Sequence, residues 1–170
     1  MVPLRAGAVD PQDLRPLEAA LFQVLRVLED RHHSVPVVVA LGSNLGPKES
    51  LFRSALAQLR VLLGPLEVGP WLTTDPWGPV PQAPYLNTVA LGFTLRSPWD
   101  LLYRLKTLER RAGRAGGQRW GPRTLDLDLV FYGRLRIHTP SLVLPHPRYQ
   151  ERDFVIHPLL RVLERLGFRL

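Results

Sequence analysis

Two aspartates separated by one residue, Asp126 and Asp128, are the side chains in this sequence best arranged to do chemistry. They belong to the alternating run LDLDL at 125–129. Such alternation is typical of a β-strand, in which side chains two residues apart share a face with their Cα atoms about 6.6 Å apart. The leucines would then face the core. Two close carboxylates repel each other unless a cation lies between them, and magnesium is the usual oxygen-seeking candidate. The alternative is a solvated strand face carrying two ordinary aspartates.

Three arginines precede the aspartate pair. Arg119 and Arg123 flank a Trp-Gly-Pro bend that begins with Trp120, and Arg114 lies just upstream. Guanidinium groups bind phosphate oxygens through charge-assisted hydrogen bonds. Any one of these arginines could be a solvated surface residue with a packed stem, and the tryptophan could simply be packed. Their combination with the two aspartates indicates a phosphate site that holds a metal.

Weaker signals lie elsewhere in the chain. Tyr85 and Asn87 would share one strand face, and an aromatic ring beside an amide suits a flat heterocycle that forms hydrogen bonds. His146 could donate to a phosphate, although a loop histidine is often structural. The segment 42–46 (GSNLG) resembles a phosphate-binding loop but lacks the G-x-x-x-x-G-K-[ST] spacing. We therefore expect it to be a tight strand-to-helix connection and at most a wall of the site.

The apolar periodicity of the chain predicts the elements that must position these residues. Helical spacing predicts helices over 11–33, from Pro47 to about 63, from Pro98 to about 112, and over 158–166. Short runs rich in β-branched residues predict strands over 37–41, 66–74, 85–95 and 125–132. Residues 75–84 contain four prolines, which predicts a stiff exposed loop.

The resulting order β-α-β-β-α-β predicts an α+β fold with a ferredoxin-like core. A hairpin-like stretch at 134–144 and a short helix would follow this core at the C-terminus. Residues 1–34 would form a helical extension at the N-terminus, and 35–170 would form the main domain. The apolar stripe of the first helix requires burial somewhere.

Composition limits the classes of function. The chain has 170 residues, 45% of them hydrophobic and 22% charged, as in an ordinary soluble domain. It has no cysteine, which excludes disulfides and thiolate metal sites. No signal peptide or membrane-spanning stretch is apparent, so a cytoplasmic protein is expected. The net charge of +7 suits a nucleotide, a nucleic acid or mere solubility.

Four segments together resemble one enzyme family. The segments GSNLG, YLN, RWGPRTLDLD and LPHP…ERDFV are similar to those of 6-hydroxymethyl-7,8-dihydropterin pyrophosphokinase, an enzyme of folate biosynthesis. The resemblance extends from about Val37 to Leu160. It implies that the pterin hydroxymethyl oxygen attacks the β-phosphorus of ATP and that AMP leaves. The choice of the β-phosphorus comes from the resemblance alone.

The resemblance also implies roles on the nucleotide side. Asp126 and Asp128 would bind two magnesium ions, and Asp126 would also orient the attacking hydroxyl or accept its proton. Arg114 and Arg123 would join these aspartates as catalytic residues. The family motifs imply ATP contacts at Lys106, Glu109, Arg114, Arg119, Trp120, Arg123, Leu129, His146 and Arg152.

On the pterin side, the resemblance implies that Tyr85 and Phe154 sandwich the ring. Asn87 and Thr74 would bind its hydrogen-bonding edge. The expected pterin contacts are Thr74, Pro76, Trp77, Tyr85, Asn87, Asp126 and Phe154. The implied partners are these two small substrates, with no nucleic acid and no membrane, in a monomer or in a dimer formed through the N-terminal helix.

Two readings without catalysis compete with this one. A basic ferredoxin-like domain could bind RNA, but the sequence lacks an RNA-binding strand with exposed aromatic residues, and its acidic pair would face the phosphates. A regulatory protein-binding domain of ACT or ferredoxin type would leave the arginines and aspartates unexplained.

Overall fold

The computed structural model describes residues 15–76, 78–113 and 124–170. Five predicted site residues lie outside these ranges, namely Trp77, Arg114, Arg119, Trp120 and Arg123. The described part of the chain is a mixed α+β structure, as predicted. Its helices are α1 (Arg15–His32), α2 (Lys48–Leu63), α3 (Pro98–Arg111) and α4 (Asp153–Arg165). Its strands are β1 (Val35–Ser43), β2 (Glu67–Val68), β3 (Leu72–Thr74), β4 (Tyr85–Thr94), β5 (Asp126–Tyr132), β6 (Ile137–His138) and β7 (Val143–Leu144).

The main sheet has five strands in the order β2-β4-β1-β5, and β3 also pairs with β4. All its pairs are antiparallel. β6 and β7 form a separate antiparallel pair. In the main sheet, Gly42 of β1 is opposite Asn87 of β4 on one side and Asp126 of β5 on the other. Ala40 is opposite Asp128 in the same way. This register brings the side-chain amide of Asn87 and both aspartates to one end of the sheet.

The two faces of the sheet bury different cores. One face, which includes Val37, Val39 and Leu41, packs on α2 and α3. The opposite face, which includes Val38, packs on α1 and α4. The apolar stripe of α1, formed by Leu21, Val24, Leu25 and Leu28, is buried in this second core. The burial that the α1 stripe requires is therefore provided within the chain.

The predicted strand at 66–74 is wrong in one respect, because the structure divides it into β2 and β3. Gly69 and Pro70 interrupt the strand. The Gly69 N–H donates to Val89 O at 2.9 Å, and a Cβ on Gly69 would lie only 2.7 Å from Pro158 Cβ of α4. Pro70 has no backbone N–H and therefore cannot donate a hydrogen bond to a neighbouring strand. The chain therefore bends where α4 crosses it.

The predicted start of the C-terminal helix at residue 158 is also wrong. α4 begins at Asp153, and Pro158 lies inside the helix. Proline is common at a first helical position, which is why the sequence pattern favoured the later start. Phe154 therefore lies in the first turn of a helix. No helix in the ranges that the structure describes is long and apolar enough to cross a membrane.

Candidate active site

A cleft of about 410 Å³ opens at the end of the sheet where β1, β4 and β5 meet. It lies on the same sheet face as α1 and α4, beyond the apolar core that these helices cover. Eight of the predicted site residues line it. They include residues predicted to contact ATP or the metal and residues predicted to contact the pterin. They are Thr74, Tyr85, Asn87, Asp126, Asp128, His146, Arg152 and Phe154.

The floor of the cleft is a strip of small residues on β1. A Cβ on Gly42 would lie 3.3 Å from Asn87 Oδ1 and 4.0 Å from Asp126 Cβ, so the absent side chain keeps this space open. Ala40 also lines the cleft, two residues away on the same face. Sequence reasoning missed Ala40, and it placed Gly42 only in a segment that was expected to be at most a wall of the site. The available signal was their alternation with bulky residues along an otherwise apolar strand.

The carboxylate of Asp128 is mostly buried and lies close to other charged or titratable groups. Its Oδ2 lies 3.5 Å from Arg152 Nη1 and 4.0 Å from His146 Nε2, and its side chain is 26% exposed. Burial, followed by the charge of Asp126, raises the pKa of Asp128 to about 6. The charges of Lys106 and Arg152 offset only part of this effect. Two neighbouring carboxylates at the edge of a cleft, one of which is harder to ionise because of the other, are a suitable donor set for a hard cation.

This donor set is small. Among the described residues, no group of three or more His, Cys, Asp or Glu side chains converges on one point. Magnesium is commonly held by one or two carboxylates, with waters and substrate phosphates as the remaining ligands. The aspartate pair fits that mode of binding and does not fit a metal enclosed by protein ligands alone.

His146 is held as a neutral hydrogen-bond donor. Its Nδ1 accepts from the backbone N–H of Arg148 at 3.2 Å, and the backbone N–H of His146 donates to Val130 O at 2.9 Å. Burial, with a further contribution from the Arg152 charge, lowers the pKa of His146 to about 4. Because Nδ1 is an acceptor, the proton of the neutral ring belongs on Nε2, which faces Asp128 and the cleft.

The other half of the cleft is aromatic and amide-lined. Tyr85 of β4 and Phe154 of α4 both line it, and the Arg152 guanidinium lies 5.8 Å from the centre of the Phe154 ring. Asn87 Nδ2 donates to Thr74 Oγ1 at 2.6 Å, which fixes the orientation of the amide. Rings beside an oriented amide can bind a flat heterocycle that presents donors and acceptors.

Four of the predicted contacts that the structure describes are not among the residues lining the cleft. Leu129 is buried in the core with α2 and α3, and Pro76 adjoins the lining residue Asp75. Lys106 Nζ lies 3.3 Å from Glu109 Oε1. Glu109 is 1% exposed, and its Oε1 accepts from the Leu127 N–H at 2.8 Å. Glu109 therefore links α3 by a hydrogen bond to Leu127, which lies between the two aspartates on β5. The substrate contacts of all four residues remain predictions.

Sequence reasoning also missed several other lining residues. Arg148 adds a second guanidinium on the His146 side, and its position two residues after that histidine was the available signal. The remaining lining residues carry no chemical signature in the sequence. They are Leu41, Asp75, Thr88 and Pro147.

This combination of groups defines a class of enzyme. A cleft that sets two carboxylates beside an arginine and a neutral histidine has what phosphoryl transfer requires, namely charge neutralisation and positioning. Residues 38–164 match the family model described as 7,8-dihydro-6-hydroxymethylpterin-pyrophosphokinase. The chain belongs to that family.

Individual relatives give the same result. The chain is 38% identical over 130 residues to a 2-amino-4-hydroxy-6-hydroxymethyldihydropteridine pyrophosphokinase of Bacillus subtilis (75% of this chain, 78% of the relative). It is 42% identical over 129 residues to the protein of that name from Synechocystis (74% and 65%). It is 43% identical over 136 residues to a mitochondrial folate synthesis bifunctional protein of Arabidopsis thaliana (75% and 23%). The chain thus spans most of the two bacterial relatives and about a quarter of the plant one.

Proposed function

We propose that the chain transfers pyrophosphate from ATP to the hydroxymethyl group of 6-hydroxymethyl-7,8-dihydropterin and releases AMP, as a step of folate biosynthesis. The family match over residues 38–164 supports this reaction. The observation that carries the proposal is the two-part cleft, in which Asp126 and Asp128 share one cavity with Tyr85, Asn87 and Phe154. One part suits phosphates and a metal, and the other suits a flat heterocycle.

In this mechanism the hydroxymethyl oxygen forms a bond to the β-phosphorus of ATP. The bond between the β-phosphorus and the oxygen that bridges it to the α-phosphorus breaks, and AMP leaves with that oxygen. Asp126 orients the hydroxyl group and can accept its proton. The protein contributes positioning and charge neutralisation, which are what such a transfer requires.

Asp126 and Asp128 would hold two magnesium ions. The support for this is the pair of carboxylates on one strand face, together with the raised pKa of Asp128. When bound, the ions would neutralise phosphate charge and align the reacting oxygens. Arg152 would add a fixed positive charge beside them, and His146 would donate from Nε2 to a phosphate oxygen.

The remaining nucleotide contacts rest on the family motifs. Arg114, Arg119 and Arg123 would bind the phosphates of ATP, with Trp120 beside them. Lys106, Glu109 and Leu129 would contact the nucleotide from α3 and β5. Arg114 and Arg123 would also contribute to catalysis.

The pterin ring would bind between Tyr85 and Phe154. Its hydrogen-bonding edge would meet Asn87 and Thr74, whose mutual hydrogen bond supports a fixed orientation of the amide. Pro76 and Trp77 would cover the ring from the proline-rich loop.

We also propose a ferredoxin-like topology for the core, which is supported by the element order and by the antiparallel strand order β2-β4-β1-β5. Residues 1–34 would be a helical extension of a pyrophosphokinase domain at 35–170. The protein would act in the cytoplasm on small molecules, without a nucleic acid or membrane partner, as a monomer or a dimer. Because the apolar stripe of α1 packs within the chain, a dimer through α1 would use the outward face of that helix.

The test is an assay with ATP, magnesium and 6-hydroxymethyl-7,8-dihydropterin that measures AMP and the pyrophosphorylated pterin. We expect Asp126→Asn and Asp128→Asn each to lower kcat/KM by about 100-fold or more. Asp30→Asn is the matched control, because Asp30 is an exposed residue at the end of α1. If the unaltered chain forms no AMP, or if Asp126→Asn forms as much as the control, the proposal fails. Binding of single-stranded RNA in place of the pterin would favour the non-catalytic reading.

A further inference from the structure

The GSNLG segment, which contains the end of β1 and the first residues of its connection to α2, is more buried than an ordinary turn. Ser43 ends β1 and is 0% exposed, and Asn44 follows it and is 5% exposed. Buried polar side chains require hydrogen-bond partners within the fold, since burying them unpaired is costly. The partners of these two residues lie on the two chain segments that carry the halves of the cleft.

Asn44 holds the end of the proline-rich loop. Its Nδ2 donates to Gln82 Oε1 at 2.8 Å and to Ala83 O at 3.0 Å. Lys48 Nζ adds a longer bond to Pro84 O at 3.3 Å. Tyr85, which lines the cleft, is the next residue. The Asn44 amide thus fixes the point at which the loop enters β4.

Ser43 holds the segment that leads into the other half of the cleft. Its Oγ donates to Thr124 O, two residues before Asp126 at the start of β5. The side chain of Ser43 points away from the sheet face on which neighbouring Gly42 forms the cleft floor. Ser43 therefore does not line the cleft with its side chain. It positions the backbone that precedes Asp126, and through it the carboxylate half of the cleft.

These bonds argue against a phosphate-binding role for this segment. An amide nitrogen carries two hydrogens, and the two bonds to Gln82 and Ala83 use both hydrogens of Asn44. We propose that Ser43 and Asn44 are positioning residues with separate tasks, Asn44 for the pterin half of the cleft and Ser43 for the carboxylate half. This inference rests on the proposed function.

Steady-state kinetics distinguish the two tasks. Asn44→Asp keeps the size of the side chain but replaces the donor by an acceptor that faces two oxygens. We expect it to raise the KM for the pterin about tenfold, as expected for losing hydrogen bonds worth about 1.4 kcal/mol, while the KM for ATP changes less than about twofold. Ser43→Ala should lower kcat and leave the KM for the pterin near that of the unaltered chain. Gln82→Ala removes one acceptor from outside the turn, so it should shift the pterin KM in the same direction by a smaller amount.

Hydrogen exchange of the protein without substrates provides a readout that does not depend on activity. Asn44→Asp should speed exchange over 78–86 and leave 124–128 unchanged, whereas Ser43→Ala should do the reverse. Ser54→Ala, an exposed position on α2, should change neither segment. Equal changes in both segments for each variant, or an unchanged pterin KM in Asn44→Asp, would overturn the proposal. A chain without pyrophosphokinase activity would refute the proposed function, while the exchange experiment would still decide the roles of the two residues.

Discussion

A carboxylate that is not among the residues lining the cleft supports the reacting strand. Glu109 accepts the Leu127 N–H, and Leu127 lies between Asp126 and Asp128 on β5, the edge strand of the sheet. An edge strand leaves alternate N–H groups without a ladder partner. The buried Glu109 side chain satisfies one of them at the position that sets the direction of both aspartates.

We therefore expect Glu109→Ala to destabilise the protein by about 1–3 kcal/mol, because it leaves a buried N–H without its acceptor. Glu109→Gln keeps an acceptor of the same length and should recover most of that loss. Lys106 is 41% exposed and can be solvated when its partner is neutral. Denaturant unfolding measures both variants, with Glu164→Ala as the exposed control. Equal losses for the Ala and Gln variants would contradict this role.

Part of the cleft lining could be predicted from the sequence at this scale. Asp126 and Asp128 were identified by their alternation with leucines, and Tyr85 and Asn87 by their shared strand face. The role of Glu109 was not visible, because a sequence does not show which backbone N–H a distant carboxylate will meet. The role of Gly42 was not visible for a related reason: it contributes space to the cleft, and only the neighbouring strands show what that space separates.

At the scale of elements, α3 presents Lys106 and Glu109 to β5 and begins with a side-chain cap. Ser97 Oγ accepts from the Asp100 N–H at 3.1 Å, and Pro98 occupies the first turn. A side-chain cap satisfies one of the unpaired N–H groups at a helix start. The start of α3 was therefore predictable from local chemistry alone.

Replacing this cap should cost about 1 kcal/mol in the free energy of unfolding, since Ser97→Ala removes the acceptor for the Asp100 N–H. Ser54→Ala makes the same change at an exposed position inside α2, where alanine favours the helix. Thermal or urea unfolding should show a loss for the first variant and none for the second. Equal stability of the two variants would show that the cap contributes nothing.

Other boundaries depended on distant packing and could not be predicted locally. The division of the 66–74 strand follows from the close approach of Gly69 to Pro158, which lies far away in the chain. The early start of α4 accompanies the burial of Val155 and Ile156 against the sheet. For α4, tertiary contact overrides the local signal that proline provides, whereas at Gly69 and Pro70 the tertiary contact and the local signal act together.

At the scale of the whole molecule, the two faces of the sheet differ. One face packs on α2 and α3, and the other face carries both an apolar core and the cleft. On this second face, α1 and α4 cover an apolar part, and the cleft occupies the rest.

A bulge near Val38 shifts the pairing of β1 with β5. Val130 and Phe131, although adjacent, both pack in the same core beyond the aspartates. Residues 15–32 precede the matched family range, yet they bury the same sheet face that carries the site.

α1 should consequently unfold together with the rest of the domain. Val24 is 5% exposed and Val27 is 36% exposed on the same helix. Val24→Ala should cost roughly 2 kcal/mol, because it removes buried methyl groups and leaves a cavity, whereas Val27→Ala should cost much less. Both variants should unfold in a single transition when followed by circular dichroism and by tryptophan fluorescence. A separate early transition that only Val24→Ala shifts would show that α1 is an independent extension.

In the proposed reaction, two phosphates move together from ATP to the pterin. A single-turnover experiment with ATP labelled at the γ-phosphate, magnesium and 6-hydroxymethyl-7,8-dihydropterin tests this transfer. We expect the label to appear on the pterin product and the released nucleotide to be unlabelled AMP, in equal amounts. Release of ADP with a singly phosphorylated pterin, or the absence of labelled pterin, would contradict it.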